Sequence, residues 1–198
     1  MNFIKNTLLV LVFSTCYLSF AQSKSTIKFY QNEKLLPISK NNEISLKKQA
    51  FSLTYFYKKY MEESKALYAL QVSFFKNKED LALLKIGTPI NELANFYKGS
   101  GMASPTDGFY DLMAIGSKVH NYLYYATEKD HNVELIQNLR NDFEGRWLIN
   151  DYIDTDNNTE GKLSKLKEKV LYMAAFRDGN LNGILDEGEL ETYTLKFF

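Results

Sequence analysis

The run from Asp178 to Glu189, DGNLNGILDEGE, places oxygen-bearing side chains at alternate positions near its start. Asp178, Asn180 and Asn182 alternate with other residues, Gly183 follows, and an acid ends the run. Alternation of this kind lets a curled chain point successive oxygens inwards, and glycine allows the positive φ angle that such a reversal requires. Hard divalent cations take six to eight oxygen ligands. The pattern therefore predicts a metal-binding turn, and the simpler alternative is a solvated polar turn.

The spacing resembles the calcium-binding loop of EF-hand proteins over all twelve positions. In that family, oxygens at positions 1, 3, 5, 7, 9 and 12 hold the ion, and glycine stands at position 6. The resemblance implies a Ca²⁺ site with these ligands: Asp178, Asn180, Asn182, the main-chain carbonyl of Ile184, Asp186 and Glu189. No His or Cys is nearby in the sequence, which disfavours zinc and copper. Leu181 at position 4 departs from the family pattern, and Leu185 at position 8 is expected to pack inwards.

The segments that flank the loop decide what kind of site it is. Downstream, Tyr193, Leu195 and Phe197 alternate with polar residues, which is typical of a strand, and upstream VLYMAAF (170–176) fits a strand buried on both faces. We therefore predict a strand–loop–strand hairpin. The alternative is a helix over 162–176 in a helical EF-hand that senses or buffers calcium. Loops of the form DxNxNGxxDxGE between strands resemble those in β-sandwich modules of secreted bacterial surface proteins, which implies a structural metal.

The N-terminal residues predict export from the cytoplasm. Residues 1–21 have a basic start, an apolar stretch and small residues before a cleavage point after Ala21, which is the pattern of a signal peptide. The apolar stretch is too short to span a membrane comfortably. We expect a secreted or periplasmic protein in which 22–198 form a single β-rich domain without a membrane span. The alternative is an outer-membrane lipoprotein with a lipid anchor at Cys16.

Composition limits the classes of function. The chain has 24 basic and 24 acidic residues, and removal of residues 1–21, which hold one Lys and no acid, leaves 23 − 24 = −1. A nucleic-acid-binding protein needs a basic face, so we predict no nucleic-acid partner. The mature chain would lack cysteine, and no nucleophile elbow, phosphate loop or dinucleotide fingerprint occurs. A non-enzymatic role is favoured, with a secreted hydrolase whose site lies in the loop at 98–111 as the alternative.

The rest of the chain predicts strands and one short helix. The runs with period-two alternation or strong β propensity are TIKFY (26–30), EISL (43–46), AFSLTYFY (50–57), LYALQVSFF (67–75), HNYLYYA (120–126), VELI (133–136) and RWLINDYI (146–153). TPINELANFY (88–97) predicts a short helix capped by Thr88. We therefore predict a mainly β, sandwich-like domain with one short helix and a C-terminal calcium loop. The alternative is an α+β fold with a helical EF-hand.

A second acidic stretch and a group of tyrosines are weaker candidates for binding sites. In DTDNNTEG (154–161) the acids alternate as in the main loop, but the glycine comes late and Lys165 stands where the closing acid belongs. We favour a solvated turn there over a degenerate metal site. The tyrosines at 122, 124 and 125 suggest a platform for sugar or peptide, although core packing is favoured. The predicted function is an extracytoplasmic calcium-binding protein, with a mainly structural metal in a module that binds an unknown protein or carbohydrate ligand.

Overall fold

The computed structural model describes residues 27–58, 70–93, 112–115, 133–138, 142–154, 159–180 and 182–198. Within these ranges the chain forms twelve strands: β1 Lys28–Gln31, β2 Lys34–Leu35, β3 Glu43–Leu46, β4 Phe51–Lys58, β5 Gln71–Phe75, β6 Leu112–Ile115, β7 Val133–Asn138, β8 Asp142–Ile149, β9 Asp151–Asp154, β10 Thr159–Lys162, β11 Val170–Phe176 and β12 Leu190–Phe197. The helical segments in the same ranges are 3₁₀ turns at Lys78–Leu83, Ile90–Glu92 and Leu163–Lys165.

The strands form two sheets that pack face to face. The smaller sheet has the order β2-β1-β4-β8-β7, and the larger has the order β10-β9-β6-β5-β11-β12-β3. Among the described strands, β12 and β3 pair in parallel and the other pairs are antiparallel. One apolar cluster contains residues from the inner faces of both sheets. This arrangement confirms the prediction of a mainly β, sandwich-like fold.

Aromatic side chains join the two sheets through the core. Phe29 of β1 meets Tyr193 of β12 edge to face, with ring centroids 5.0 Å apart. Phe74 of β5 and Trp147 of β8 pack with centroids 6.4 Å apart. Burial of large rings supplies much of the apolar area that stabilises a core of this kind. Phe51, Leu53 and Tyr55 of β4 join this core, as the period-two alternation predicts, and Ser52 and Thr54 on the opposite face are also buried.

Strand β11 is buried on both faces. Its inner residues Leu171 and Met173 join the core between the sheets, while Ala174 and Phe176 face a second apolar cluster on the outer side of the larger sheet. The strand pairs with β5 on one side and β12 on the other. This confirms the prediction of a doubly buried strand. The alternative of a helix over 162–176 is wrong, because extended pairing on both sides uses the main-chain groups that a helix would need.

Two predicted elements differ in the structure. The single strand predicted over 146–153 is broken at Asn150, where the chain passes from β8 in the smaller sheet to β9 in the larger one. The predicted short helix over 88–97 contributes only the 3₁₀ turn Ile90–Glu92 to the described residues, and the Thr88 side chain does not cap it. The cause is an isolated β-bridge between Pro89 and Ile184, which keeps the start of this segment extended.

Several predictions lie outside the described residues. These are the signal peptide over 1–21, the lipid anchor at Cys16, the strand over 120–126 with its tyrosines, and the loop over 98–111. In the part of the chain that is described, no helix combines the length and apolar character needed to cross a membrane.

The alternation along β12 predicts unequal effects of two neighbouring substitutions. Leu195 is fully buried between the sheets, whereas Lys196 is exposed and pairs with Glu43 at 2.8 Å. Leu195→Ala should lower the free energy of unfolding by about 2–5 kcal/mol through lost apolar contacts and a residual cavity. Lys196→Ala should cost less than about 1 kcal/mol, because an exposed ion pair contributes little. Urea denaturation measures both, and equal losses would contradict the assigned register.

Candidate metal centre

The DGNLNGILDEGE run joins β11 to β12 as the turn of an antiparallel hairpin. Phe176 pairs with Leu190 at the last step of the ladder, and the Arg177 N–H donates to the Glu189 carbonyl at 3.2 Å. The two ends of the run are therefore held next to each other by paired strands. This confirms the predicted strand–loop–strand arrangement, and the helical flanks of the alternative are not present in the described residues.

Asp178 sets the curl of the loop from its first position. The residue is 1% exposed, and its carboxylate accepts main-chain N–H bonds from Gly183 at 2.8 Å and from Asn182 at 3.2 Å. Gly183 has φ of 76°, a conformation that favours glycine. A buried carboxylate requires compensating donors, and here the main chain of the turn provides them. The first predicted ligand is thus fixed by the same bonds that reverse the chain.

The two asparagines connect the turn to Asp186. The carboxamide oxygen of Asn180 accepts from the Asn182 N–H at 3.0 Å, and that of Asn182 accepts from the Ile184 N–H at 2.8 Å, which are Asx turns. The carboxamide nitrogens of both residues donate to the same oxygen of Asp186, Oδ2, at 2.6 and 2.7 Å. Three of the predicted ligand side chains therefore converge on one point.

Glu189 closes the network from the last position. Its Oε1 accepts from the Gly179 N–H at 2.6 Å, and its Oε2 accepts from the Asp186 N–H at 3.0 Å. The carboxylate therefore spans the loop from near its start to near its end. All the predicted ligand side chains, namely those of Asp178, Asn180, Asn182, Asp186 and Glu189, belong to one hydrogen-bonded network.

Ile184, the sixth predicted ligand, lies opposite Pro89 in the β-bridge. The bonds of this bridge come from neighbouring residues: the Ile90 N–H donates to the Gly183 carbonyl and the Leu185 N–H to the Thr88 carbonyl, both at 2.9 Å. Neither of these two hydrogen bonds uses the Ile184 carbonyl oxygen, which is the predicted ligand atom. Proline suits the opposite position because that position needs no N–H.

Segment 87–90 is the part of the site that the sequence did not reveal. Besides the bridge, the Gly87 N–H donates to the Leu185 carbonyl at 2.8 Å, so Leu185 bonds to this segment through both main-chain groups. The two segments are separated by more than ninety residues in the chain. The sequence does not predict this pairing, because an isolated bridge of one residue pair is too short to show hydrophobic alternation.

The side chain of Leu185 is fully buried, as predicted for position 8. It packs in the outer apolar cluster with Phe75 and Phe176 of the larger sheet and with Leu84 and Leu93. The polar loop thus has an apolar anchor at its centre. Burial of a leucine side chain contributes about 2 kcal/mol, so the position of the loop over the sheet is set by packing as well as by hydrogen bonds.

In the described part of the chain, the carboxylates of Asp186 and Glu189 accept hydrogen bonds from neutral N–H groups and not from cationic side chains. Among the described residues, neither Asp186 nor Glu189 forms an ion pair. Arg177, which precedes the loop, donates to the Phe56 carbonyl instead. Main-chain and amide N–H groups bond to the carboxylates of Asp186 and Glu189 but bring no net positive charge. A cation would add the missing charge.

The residue types of the loop suit a hard cation, but its acids alone do not form a site, so amide oxygens would also be needed as ligands. Within the described ranges, no group of three or more His, Cys, Asp or Glu is placed to hold a metal ion. The atoms that converge are the carboxamide nitrogens of Asn180 and Asn182 and one carboxylate oxygen of Asp186. A cation could take the place of these two hydrogen bonds only if both carboxamides turned their oxygens towards it. Carboxylate, amide and main-chain oxygens are the ligands that calcium takes in proteins. An ion here would therefore need amide and main-chain oxygens together with the acids.

The second acidic stretch lies in the hairpin between β9 and β10. Asp154 pairs with Thr159, and Glu160 pairs with Ile153. Residues 155–158 lie outside the described ranges. The solvated turn therefore stays a prediction for this stretch.

Comparisons of the chain with protein families, with curated proteins and with solved structures yield no match. The assignment of the site therefore depends on its own residues and geometry.

Gly179 and Gly183, two of the glycines of the loop, should respond differently to substitution by alanine. A Cβ at Gly183 has open space around it but would sit at φ of 76°, whereas a Cβ at Gly179 would meet only Glu189 Oε1 at 3.5 Å. Gly183→Ala should cost about 1–2 kcal/mol of folding free energy from backbone strain alone. Gly179→Ala should be neutral or stabilise by up to about 1 kcal/mol. Thermal unfolding compares the two, and a neutral Gly183→Ala would show that the turn does not depend on this conformation.

Proposed function

We propose that the protein is an extracytoplasmic calcium-binding protein in which the ion has a structural role, within a module that binds a protein or carbohydrate partner. The observation that carries the proposal is the convergence of the Asn180 and Asn182 carboxamides on Asp186 Oδ2, with N–O distances of 2.6 and 2.7 Å. Asp178 and Glu189 close the same loop through their carboxylates. The export step rests on the signal-peptide pattern over 1–21 alone.

Calcium would be held by side-chain oxygens of five residues and by one main-chain carbonyl, that of Ile184. The positive charge would take over the role that the Asn180 and Asn182 amide nitrogens now have towards Asp186. It would also offset the mutual repulsion of the loop carboxylates, which hydrogen bonds alone do not remove. The chemistry supplied is electrostatic, because calcium fixes the shape of the turn without redox change or proton transfer.

The flanking elements favour a structural ion over a sensor. Sensor EF-hands respond to calcium by changing the angle between two helices. Here both flanks are strands of the larger sheet, with β11 paired to β5 and β12, and β12 paired also to β3. Strands held on both sides cannot rotate about the loop as helices do. Calcium is therefore expected to add stability to the hairpin with little change of shape.

Two acids of the loop provide a matched test of the ligand assignment. Glu189 accepts from the loop at both oxygens, whereas Glu187, two residues earlier, is exposed. Glu189→Gln should weaken calcium binding at least about tenfold, because calcium affinity depends on the number of charged ligands. Glu187→Gln removes the same charge from outside the ligand set and should change affinity less than about threefold. Isothermal titration calorimetry of residues 22–198 gives both constants.

The parent should show one calcium site in this titration, and a variant with Asp178→Ala and Glu189→Ala should show none. Circular dichroism must first confirm that each variant keeps its strands, since the Asp178 carboxylate also holds the turn. Parent-like binding by Glu189→Gln would refute the ligand set. Equal weakening of calcium binding by Glu187→Gln and Glu189→Gln would show that the ion responds to the overall negative charge of the loop and not to specific ligands.

Removal of calcium should lower the thermal stability of the protein. At a calcium concentration of one hundred times Kd, binding to the folded state alone adds about 2.7 kcal/mol. For a domain of this size, that free energy corresponds to a rise in Tm of about 5–11 °C. Differential scanning calorimetry with calcium and with chelator measures the shift, and magnesium at the same ionic strength is the control. An unchanged Tm in the presence of measured binding would rule out a structural role.

A further inference from the structure

Residues 78–93 form a segment, here called the strap, that lies on the outer face of the larger sheet beside β5 and β11. Its buried residues are Leu84 and Leu93, and most of its other described side chains are exposed or half-buried. Beneath the strap lie Phe75 and Phe176, each no more than 2% exposed. The strap therefore covers an apolar face that would otherwise meet water.

The strap has little regular structure to hold it in place. It contains two 3₁₀ turns, Lys78–Leu83 and Ile90–Glu92, and neither has a side-chain cap. Two of its apolar side chains point to water, with Leu83 at 60% and Ile86 at 55% exposure. Short uncapped 3₁₀ turns have poor hydrogen-bond geometry and contribute little stability of their own. The position of the strap must therefore be fixed by what it contacts.

The loop of the candidate metal centre provides that contact in the second half of the strap. Three main-chain hydrogen bonds of 2.8–2.9 Å join Gly87, Thr88 and Ile90 to Gly183 and Leu185. The Leu185 side chain then packs in the same apolar cluster as Leu84 and Leu93. Gly183 also donates to Asp178, the first predicted ligand. The strap and the predicted ligands therefore share the same short stretch of main chain.

We propose that calcium in the loop acts as a latch on the strap. The inference rests on the proposed calcium site. Ion binding fixes residues 183–185, which hold the strap closed over the sheet. Loss of the ion loosens these residues, so the strap opens more often and uncovers the apolar face formed by Phe75, Phe176 and Leu190. The coupling is local to this face of the larger sheet.

Limited digestion with trypsin tests the latch at one defined bond. Lys85 is exposed in the middle of the strap, and cleavage after it requires an extended, accessible chain. If opening excludes the ion, calcium at one hundred times Kd should slow this cleavage by up to about 100-fold. Lys167, which is exposed beyond the opposite end of β11, is the internal control. Mass spectrometry of the peptides gives both rates in one digest of residues 22–198.

A pair of leucine substitutions tests the anchor itself. Leu185 is fully buried in the outer cluster, whereas Leu35 of β2 is 60% exposed and belongs to the smaller sheet. In the presence of calcium, Leu185→Ala should raise the rate of cleavage after Lys85 more than about tenfold. Leu35→Ala should leave that rate within about threefold of the parent. An apolar-binding dye, anilinonaphthalene sulfonate, should fluoresce more with chelated parent and with Leu185→Ala.

The outcomes separate this inference from the proposed function. If calorimetry records calcium binding and cleavage after Lys85 is unaffected by calcium, the latch is overturned and the metal site stands. If cleavage after Lys85 and after Lys167 slow by equal factors, calcium stabilises the whole fold and the local latch is again overturned. If calorimetry records no calcium binding, both proposals fail. Parent-like cleavage of Leu185→Ala would show that the loop does not anchor the strap.

Discussion

A buried carboxylate needs hydrogen-bond donors or a cation to replace the water that it loses. Beyond the end of β11, the buried carboxylate is that of Asp178. The residue is the second after a strand that is buried on both faces, and its side chain is itself buried. The N–H groups of Asn182 and Gly183 meet it, and they can do so only if the chain turns back at Gly183. The geometry of the whole loop follows from the burial of this one charge.

That turn places one short stretch of main chain between two apolar clusters. On one side, Tyr193, Leu195 and Phe197 of β12 enter the core between the sheets. On the other side, Leu185 enters the outer cluster with the strap. Because β12 also pairs in parallel with β3, the loop controls where a late strand meets an early one. The loop and the strand that follows it therefore contact segments that are distant in sequence.

The elements with strong local periodicity were predictable from the sequence. The alternation of Tyr193, Leu195 and Phe197 and the two-faced burial of β11 are confirmed, because side-chain direction in a strand follows from position alone. The inward side chain of Leu185 was predicted by the resemblance to the EF-hand loop, in which position 8 is apolar, and its burial is confirmed. The break at Asn150 was missed, although the buried positions change phase there, from Trp147 and Ile149 in β8 to Tyr152 in β9.

The bridge between Pro89 and Ile184 shows most clearly what local sequence lacks. Proline and threonine at 88–89 are a good start for a helix, and only the contact with a distant loop keeps them extended. The helix propensity of this segment is worth a few tenths of a kcal/mol per residue. The three main-chain hydrogen bonds to the loop and the burial of Leu185 contribute more free energy than this helix propensity. In this protein the oxygens at 178–189 specify a turn from sequence alone, but tertiary packing decides which other segment that turn holds.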